Sequence, residues 1–277
     1  MGLLVAVVGA AWLWVSCGFP PGVGAARASL AGSFDRLDAA LPLALVLAGG
    51  AIWMIAVPLG EALGGERRDW RWHAIAACAV PVVGFVLGYG IVGGLVARDP
   101  MVAGWSPWQD VVAQFCLPVG GLAAVACGAM ALFARDGWRL ACWVSASSGG
   151  LALMALGRAD DGGMAAAAGL AAAQWPVLAA WILAVARDPM SSGWRAWLGG
   201  ACAASLAGIW PLPGGLARWR HLEESLRGGF GASWDAASLT AVILAWLMSV
   251  AAWGAWTWRA ARAPSQKLQT ADNGCRR

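Results

Sequence analysis

An apolar stretch in the last third of this 277-residue chain is cut by prolines and glycines and then meets an arginine. Proline removes a backbone donor and clashes with the preceding helical turn, so the freed carbonyl groups need partners from neighbouring helices, polar side chains or water. Interrupted helices inside a bilayer are common positions for ion paths. The alternative is a helix that ends at the bilayer surface in a Pro-Gly turn. The residues concerned are Gly208, Pro211, Pro213, Gly214 and Arg218.

Several other polar side chains lie inside or beside apolar sequence and offer hydrogen-bonding chemistry. Arg218 and Arg220 are suited to hold an anionic lipid, a carboxylate of a partner subunit or the local chloride and proton field, or else to extend from a helix end to the bilayer surface. Three serines and a glutamine are suited to hydrate a polar path, or else to join helices by bonding to backbone carbonyl groups. These four residues are Ser145, Ser147, Ser148 and Gln174.

The charged residues at the ends of apolar segments have simpler interpretations. Glu61 closes one such segment and is the best candidate for a carboxylate at the edge of the bilayer. Asp136 and Arg139 are one helical turn apart, which favours an ion pair, although Arg139 is also a candidate for an ion path. Asp160 and Asp161 fall in a short turn, where we expect them to be solvated.

The cysteine and histidine content gives no sign of a redox or metal centre. The seven cysteines form no C-x-x-C pair, and six lie inside apolar runs, where they act as small buried side chains. His73 and His221 are too far apart to suggest a ligand pair. No stretch resembles a nucleotide, flavin, quinone or iron–sulfur motif. We therefore predict no catalytic residue, no cofactor and no metal site, and any redox chemistry would belong to other subunits.

The composition indicates a polytopic membrane protein. Apolar residues make up 60% and charged residues 12% of the chain, and the mean hydropathy is +0.64, which lies outside the range of soluble proteins. Twenty tryptophans against one tyrosine also favour a bilayer, because the indole ring prefers the interface between lipid and water. We expect the lipid bilayer as a partner and no nucleic acid.

The elements that must position these residues are long apolar helices. A span needs about 20 mostly apolar residues, and eight segments approach that length. We predict an all-α transmembrane bundle of about eight spans with one or two proline- or glycine-interrupted helices. It forms a single domain over 1–258, followed by a basic, disordered tail over 259–277. The predicted spans are 2–17, 39–62, 74–97, 111–134, 139–157, 164–186, 196–214 and 236–258.

The segment 215–235 has the pattern of a short amphipathic helix of the kind that lies on a membrane surface. Its apolar positions are Leu216, Trp219, Leu222, Leu226 and Phe230. Its polar positions are Arg220, Glu223, Glu224 and Arg227.

The distribution of basic residues predicts the orientation, because the side that retains arginine and lysine is cytoplasmic. With eight spans, the side that holds both termini carries twelve of the 19 arginine and lysine residues, and the other side carries seven. We predict a multi-pass protein of the inner (plasma) membrane with both termini in the cytoplasm.

Three stretches resemble, in the same order, the antiporter-like proton-conducting membrane subunits shared by respiratory complex I, membrane-bound hydrogenases and Mrp-type cation/proton antiporters. They read GYGIVGGL ahead of Pro100, GAMALFARDGWRLACWVSASSGG and SLAGIWPLPG. The family has G-x-Y-G-L-x-R before a proline, G-A-x-x-A-L-x-Q-x-D-L-K-R-L-L-A-Y-S-S-I-S-H-x-G, and S-L-A-G-I-P-P-L-A-G-F. Arg218 lies near the position of a family lysine. The three stretches begin at Gly88, Gly128 and Ser205, and the resemblance covers 84–218.

The chain departs from this family at the residues that carry protons. Family members use intramembrane glutamate, lysine and histidine, which gain and lose protons near neutral pH. In the second stretch Trp138 replaces a lysine, Trp143 a tyrosine and Ser148 the histidine. Of the usual relay only Arg139 and Arg218 keep a charge, and arginine holds its proton too strongly to pass it on.

The resemblance therefore implies a shortened and degenerate member that is not a complete channel by itself. Its expected function is that of a membrane-arm subunit in a proton- or cation-translocating complex, with other membrane subunits as partners. Two other functions stay open. One is a free-standing small-solute permease whose site is built on broken helices at 18–24 and 208–215. The other is a structural or assembly protein of the membrane.

Overall fold

The computed structural model describes residues 37–63, 75–96, 107–134, 136–185, 194–227 and 232–275. Within these ranges the chain is helical apart from short turns and contains no strand. The predicted all-α polytopic bundle is confirmed as the fold class. The first predicted span, 2–17, and the Gly/Pro-rich stretch 18–24 lie outside the described residues.

The described residues form eight helices, two of which contain a π-helical turn. Helix α1 comprises Leu37–Ala51, the π-helical turn Ile52–Ala56 and Val57–Leu63. Helix α2 comprises the π-helical turn Ile75–Ala79 and Val80–Val96. The other helices are α3 (Pro107–Leu132), α4 (Gly137–Leu156), α5 (Asp161–Val185), α6 (Trp194–Ala207), α7 (Pro213–Arg227) and α8 (Ala232–Cys275).

Six of these helices are long and apolar enough to cross a membrane, and they match six of the predicted spans to within a few residues. The chain is therefore a polytopic α-helical membrane protein. The apolar segments are Leu43–Leu63, Ile75–Gly93, Gln109–Leu132, Gly137–Leu156, Asp161–Ala184 and Asp235–Arg259.

The predicted span 196–214 is not one helix. Helix α6 ends at Ala207 and α7 begins at Pro213, so the predicted interruption is confirmed and the predicted span is too long. The 14 residues of α6 reach about 21 Å at 1.5 Å per residue, which is short of a hydrocarbon core of about 30 Å. Proline suits the first position of a helix because its missing N–H would have no partner there.

Helix α4 forms the centre of the bundle. Every residue from Leu140 to Leu156 is buried, because other helices cover it on all sides. Two consecutive glycines allow the closest approaches: a Cβ on Gly149 would lie 2.6 Å from the carbonyl oxygen of Met54 in α1, and a Cβ on Gly150 would lie 2.6 Å from the backbone nitrogen of Ala124 in α3. Small residues at such crossings let helix backbones pack tightly where lipid provides little hydrophobic drive.

The two ends of α4 define the two ends of the bundle, called here the Gly137 end and the Arg158 end. Helix α5 starts at the Arg158 end, where its Gly162 lies directly against Glu224 of α7. The turn between α6 and α7 lies much deeper, since the indole of Trp246 donates to the carbonyl of Gly208 at 3.1 Å. Trp246 is near the middle of the 25-residue apolar segment of α8. Helices α6 and α7 together therefore run along α5, with their break at mid-depth.

Helix α8 continues beyond its apolar segment to Cys275. The sequence predicts a disordered tail over 259–277, and the helical backbone over 260–275 differs from that prediction. A helix already formed in the bundle extends without a new nucleation step. Alanine, which occurs four times in this segment, and glutamine, which occurs twice, also have high helix propensities.

Candidate functional site

Helix α7 buries one row of polar residues and exposes large apolar residues together with Arg220, Glu223 and Arg227. The buried residues include Arg218, His221, Glu224 and Ser225. The exposed large apolar residues are Leu216, Trp219 and Leu226. The predicted amphipathic helix is present as far as Arg227, but it does not lie on the membrane surface with its apolar residues directed into the lipid. Because lipid is as apolar as leucine, an apolar face gains little by packing inward, whereas ionisable side chains are far less costly inside the bundle.

Arg218 lies across the break between α6 and α7. Its side chain is 1% exposed, and its Nη2 donates to the carbonyl oxygen of Leu206 at 2.9 Å. The aliphatic part passes Gly208 so closely that a Cβ there would lie 2.9 Å from the Arg218 Cδ. Side chains on a helix lean towards its N-terminus, which is how Arg218 reaches back to the last turn of α6. A cation at that position opposes the negative end of the α6 dipole.

The prolines and glycines of the stretch have separate roles in closing the break. The backbone N–H of Gly214 donates to Ser205 Oγ at 3.1 Å, and a Cβ on Gly214 would collide with the carbonyl oxygen of Ser205. Gly208 has a φ of +83°, a conformation that glycine adopts without strain. Pro213 is the first residue of α7, and Pro211 lies exposed in the turn. Gly214 therefore lets the first turn of α7 approach Ser205 in the last turn of α6 closely.

Two acidic and two basic groups gather at the Arg158 end. Arg158 is 5% exposed, and its Nη2 lies 3.5 Å from Asp160 Oδ2. The carboxylate of Glu224, also 5% exposed, accepts from Arg227 Nη1 at 2.7 Å and packs against Gly162. A carboxylate beside the first turn of α5 is favoured by the positive end of that helix dipole.

His221 lies between Arg218 and Glu224 on the buried face of α7. It is 1% exposed, and neither ring nitrogen has a hydrogen-bond partner among the described residues. The positive charge of Arg158 is close enough to interact electrostatically with the imidazole of His221. Arg218, His221 and Glu224 are spaced three residues apart, so they form one row along the helix, from the break to the Arg158 end.

The predicted polar residues of α4 divide into two kinds. The hydroxyl of Ser145 donates to the carbonyl oxygen of Ala77, within the π-helical turn of α2. Ser147 donates to the carbonyl oxygen of Ala124 at 2.8 Å, so the interpretation of these two serines as links between helices is confirmed. Ser148 instead faces Gln174, with 3.4 Å between its Oγ and the Gln174 Oε1.

Arg139 lies at the Gly137 end, away from Arg218. Its side chain is 44% exposed, and its Nε is 3.5 Å from Asp136 Oδ2, which confirms the predicted ion pair. Asp136 also accepts from the backbone N–H of Arg139 at 2.7 Å and caps α4. The 20 residues of α4 separate the two ends by about 30 Å. The structure does not bring Arg139 into the row on α7.

The other acidic candidates lie at helix ends. Glu61 is half-buried near the end of α1. Asp161 is exposed at the start of α5, as expected for a solvated turn. Asp160 is only partly exposed, because it binds both Arg158 and the backbone N–H of Gly163, the latter at 2.5 Å.

Sequence reasoning missed His221, Glu224 and Arg158 as interior residues. The signal was present in the spacing of Arg218, His221 and Glu224, which places three ionisable residues on one helical face opposite Leu216 and Trp219. In a membrane protein such a pattern also fits an upright helix whose polar face is buried. The surface-helix interpretation rested on the same pattern.

Buried charge occurs in only one half of the described bundle. The buried ionisable side chains of the described residues are Arg158, Arg218, His221 and Glu224, and all of them lie between the break and the Arg158 end. The other buried polar side chains of the described ranges are serines and Gln174. Ionisable residues inside membranes commonly mark ion pathways, although an arginine in such a row holds its own proton too strongly to pass it on.

The described residues show no arrangement for binding a metal. In the ranges that the structure covers, no three histidine, cysteine, aspartate or glutamate side chains come together as ligands. The five cysteines with described side chains are buried and unpaired, which confirms their interpretation as small apolar residues.

Comparison of this chain with protein-family models gives no match, and no curated protein matches it.

Proposed function

We propose that this protein is a membrane-arm subunit of a proton- or cation-translocating complex, similar to those of complex I, hydrogenase or Mrp type. In this role it supplies one half of a hydrated ion path. The observation that carries the proposal is the buried row of Arg218, His221 and Glu224, which starts at a helix break at mid-depth.

The broken helix supports a transport function rather than a packing function. An uninterrupted helix would satisfy its own backbone and need no buried arginine. Here a carbonyl of the last turn of α6 is bound by the Arg218 guanidinium, which would be expensive to bury in a helix that served packing alone. Transporters use such breaks to expose backbone and side-chain dipoles to an ion.

The asymmetry of the bundle supports a subunit rather than an independent channel. The described buried charges reach from the break to the Arg158 end and no further. A path that crosses the whole membrane needs polar groups on both sides of the midplane. We infer that a neighbouring subunit provides the second half of the path, and we place both termini of this subunit in the cytoplasm of an inner-membrane complex.

The test has two steps, and both use the full-length chain in the cells that naturally contain it. A tagged copy is purified in a mild detergent, and co-purifying proteins are identified by mass spectrometry. Proton uptake into inverted membrane vesicles is then measured with a quenched pH-sensitive dye after a respiratory donor is added. The variants are Arg218→Gln and, as a matched control on the exposed face of the same helix, Arg220→Gln.

We expect other membrane subunits of an ion-translocating complex to co-purify with the chain. Proton uptake should fall to near background in Arg218→Gln and stay normal in Arg220→Gln, with equal assembly of both. Recovery of the protein alone would contradict the subunit assignment and favour a free-standing permease, which solute uptake by liposomes would reveal. Normal proton uptake in an assembled Arg218→Gln complex would show that the row on α7 is not part of the ion path.

A further inference from the structure

The break between α6 and α7 holds a guanidinium that has no carboxylate partner among the described residues. Arg218 is 1% exposed, and within the described ranges its side chain makes one hydrogen bond, from Nη2 to the carbonyl of Leu206. Nε and Nη1 have no partner among the described residues. No described aspartate or glutamate forms an ion pair with this arginine, in contrast to Arg158, Arg139 and Arg227, which all do.

The end of α6 supplies negative potential at the Leu206 carbonyl, whereas the start of α7 adds positive potential beside this guanidinium. Helix α7 begins at Pro213, and its N-terminal end carries the partial positive charge of the helix dipole. That end is next to the guanidinium, because Gly214 bonds to Ser205 while Arg218 bonds to the adjacent Leu206. The Ser205 hydroxyl accepts from Gly214, which leaves its own proton free to donate. Donors and positive charge thus converge at one buried place.

We propose that the break is a binding site for a small monovalent anion of the halide or formate class. The anion would accept from Arg218 Nε and Nη1 beside the first turn of α7. A buried guanidinium without a counter-charge is strongly unfavourable, and an anion at this position removes that penalty. The combination of an arginine with a helix N-terminus is also the chemistry that anion sites in proteins use.

The occupant must be small and mobile rather than a side chain of a neighbouring protein. At 1% exposure, Arg218 cannot be reached by a carboxylate that approaches from the outer surface of the bundle. The break is closely packed, since a single Cβ at Gly214 already collides with Ser205, so an occupant must be a compact ion. Bulky anions such as gluconate are therefore excluded.

This inference does not depend on the proposed function, although it has a consequence for it. A cation or proton that moves along the α7 row must pass the fixed charge of Arg218, which repels it. An anion bound beside Arg218 would neutralise that charge. Chloride would then act as a structural component of the path, and proton transport by the assembled complex would require it.

The test measures anion binding directly, on purified full-length protein in detergent. Equilibrium binding of radioactive chloride is measured in gluconate buffer, with bromide and formate as competitors. Thermal unfolding is followed in parallel as chloride replaces gluconate at constant ionic strength. The variants are Arg218→Gln, Arg218→Lys and the exposed control Arg220→Gln.

We expect saturable binding of one chloride per chain in the natural protein and in Arg220→Gln, displaced by bromide and formate. Saturation should raise the unfolding temperature by about 2–4 °C. Arg218→Lys, which keeps the charge but fewer donors, should bind more weakly, and Arg218→Gln should not bind.

Two outcomes would overturn the proposal. One is the absence of saturable chloride binding in the folded natural protein, which is decisive even if Arg218→Gln does not fold. The other is equal chloride binding by natural protein and a folded Arg218→Gln. Chloride binding without any proton transport would leave the anion site intact and refute only the proposed function.

Discussion

The two ends of this bundle are built from similar apolar sequence, but their interiors hold different kinds of side chain. At the Gly137 end, three indole rings pack edge to face. The centroids of Trp181 lie 4.9 Å from Trp253 and 5.2 Å from Trp256, and the last two are 6.1 Å apart. At the Arg158 end, the equivalent interior holds Arg158, His221 and Glu224. The first is a packed apolar core, and the second is a cluster of ionisable groups.

The helix break accounts for this difference. On the Gly137 side of the break, α5, α6 and α8 are helices without an interruption. On the Arg158 side, α7 begins at Pro213, presents Arg218 to the carbonyl of Leu206, and buries His221 and Glu224 as well. One interruption therefore allows a polar half to exist beside an apolar half in a single bundle.

The tryptophan cluster predicts the largest effect on stability. Replacing Trp253, which is 2% exposed, with alanine should lower the free energy of unfolding by about 3–5 kcal/mol, because two ring contacts are lost and a large cavity forms. The exposed Trp197, at 81%, is the control, and Trp197→Ala should have little effect. Unfolding by SDS in mixed micelles measures both.

The milder variant Trp253→Phe separates packing from transport. We expect it to assemble and to retain proton uptake, since the Gly137 end carries no part of the row. A Trp253→Phe protein that is stable but inactive would show that the apolar half takes part in transport. The two ends of the bundle would then not differ in their role in transport.

Helix α6 and helix α7 depend on glycine where they touch. In Gly214→Ala the new methyl group meets the backbone carbonyl of Ser205, which cannot move independently of its helix. We expect a loss of about 1–3 kcal/mol in thermal or SDS unfolding. Gly200→Ala in α6, where nothing lies within 4 Å of the new Cβ, should be neutral or slightly stabilising. Equal effects of the two changes would mean that the break is not closed as described.

Two aspartates allow a matched comparison of the ends, because each caps a helix. Asp136 accepts from the backbone of Arg139 at 2.7 Å, and Asp160 accepts from that of Gly163 at 2.5 Å. Asp136→Ala and Asp160→Ala should each lower stability by about 1 kcal/mol, measured by thermal unfolding.

Their effects on transport should differ. Asp160→Ala also removes one partner of the buried Arg158, so proton uptake by the assembled complex should fall. Asp136→Ala releases only the exposed Arg139, and uptake should stay normal. A transport defect in both variants would indicate a general loss of structure instead of a defect at the Arg158 end.

The sequence was sufficient to predict the helices but not to predict which face of each helix is buried. Six spans follow from length and apolar content alone. The break is favoured by two prolines and two glycines close together, whereas the single prolines Pro118 in α3 and Pro176 in α5 lie inside continuous helices. The buried face of α7 does not follow, because an amphipathic pattern has the same period on a membrane surface and inside a bundle. Only the packing of α7 against α5, through the contact of Glu224 with Gly162, decides which face is inside.

Arg139 and Arg218 show the same limit for single residues. In the sequence both are arginines at the ends of apolar segments, and both are candidates for an ion path. In the structure one is 44% exposed and paired with Asp136, whereas the other is buried and unpaired among the described residues. Burial depends on which distant segments surround the side chain, and neither local spacing nor residue type contains that information.

The smallest effect is expected for the serine that joins α4 to α3. Ser147 donates to the carbonyl of Ala124 across the helix contact, so Ser147→Ala should lower stability by about 0.6 kcal/mol. Ser249 donates to Ala245 within its own helix, where the carbonyl keeps its backbone partner, and Ser249→Ala should be close to neutral. Neither change should affect proton uptake. If Ser147→Ala reduced uptake without a loss of stability, this serine would belong to a polar path, and the row on α7 would extend across α4.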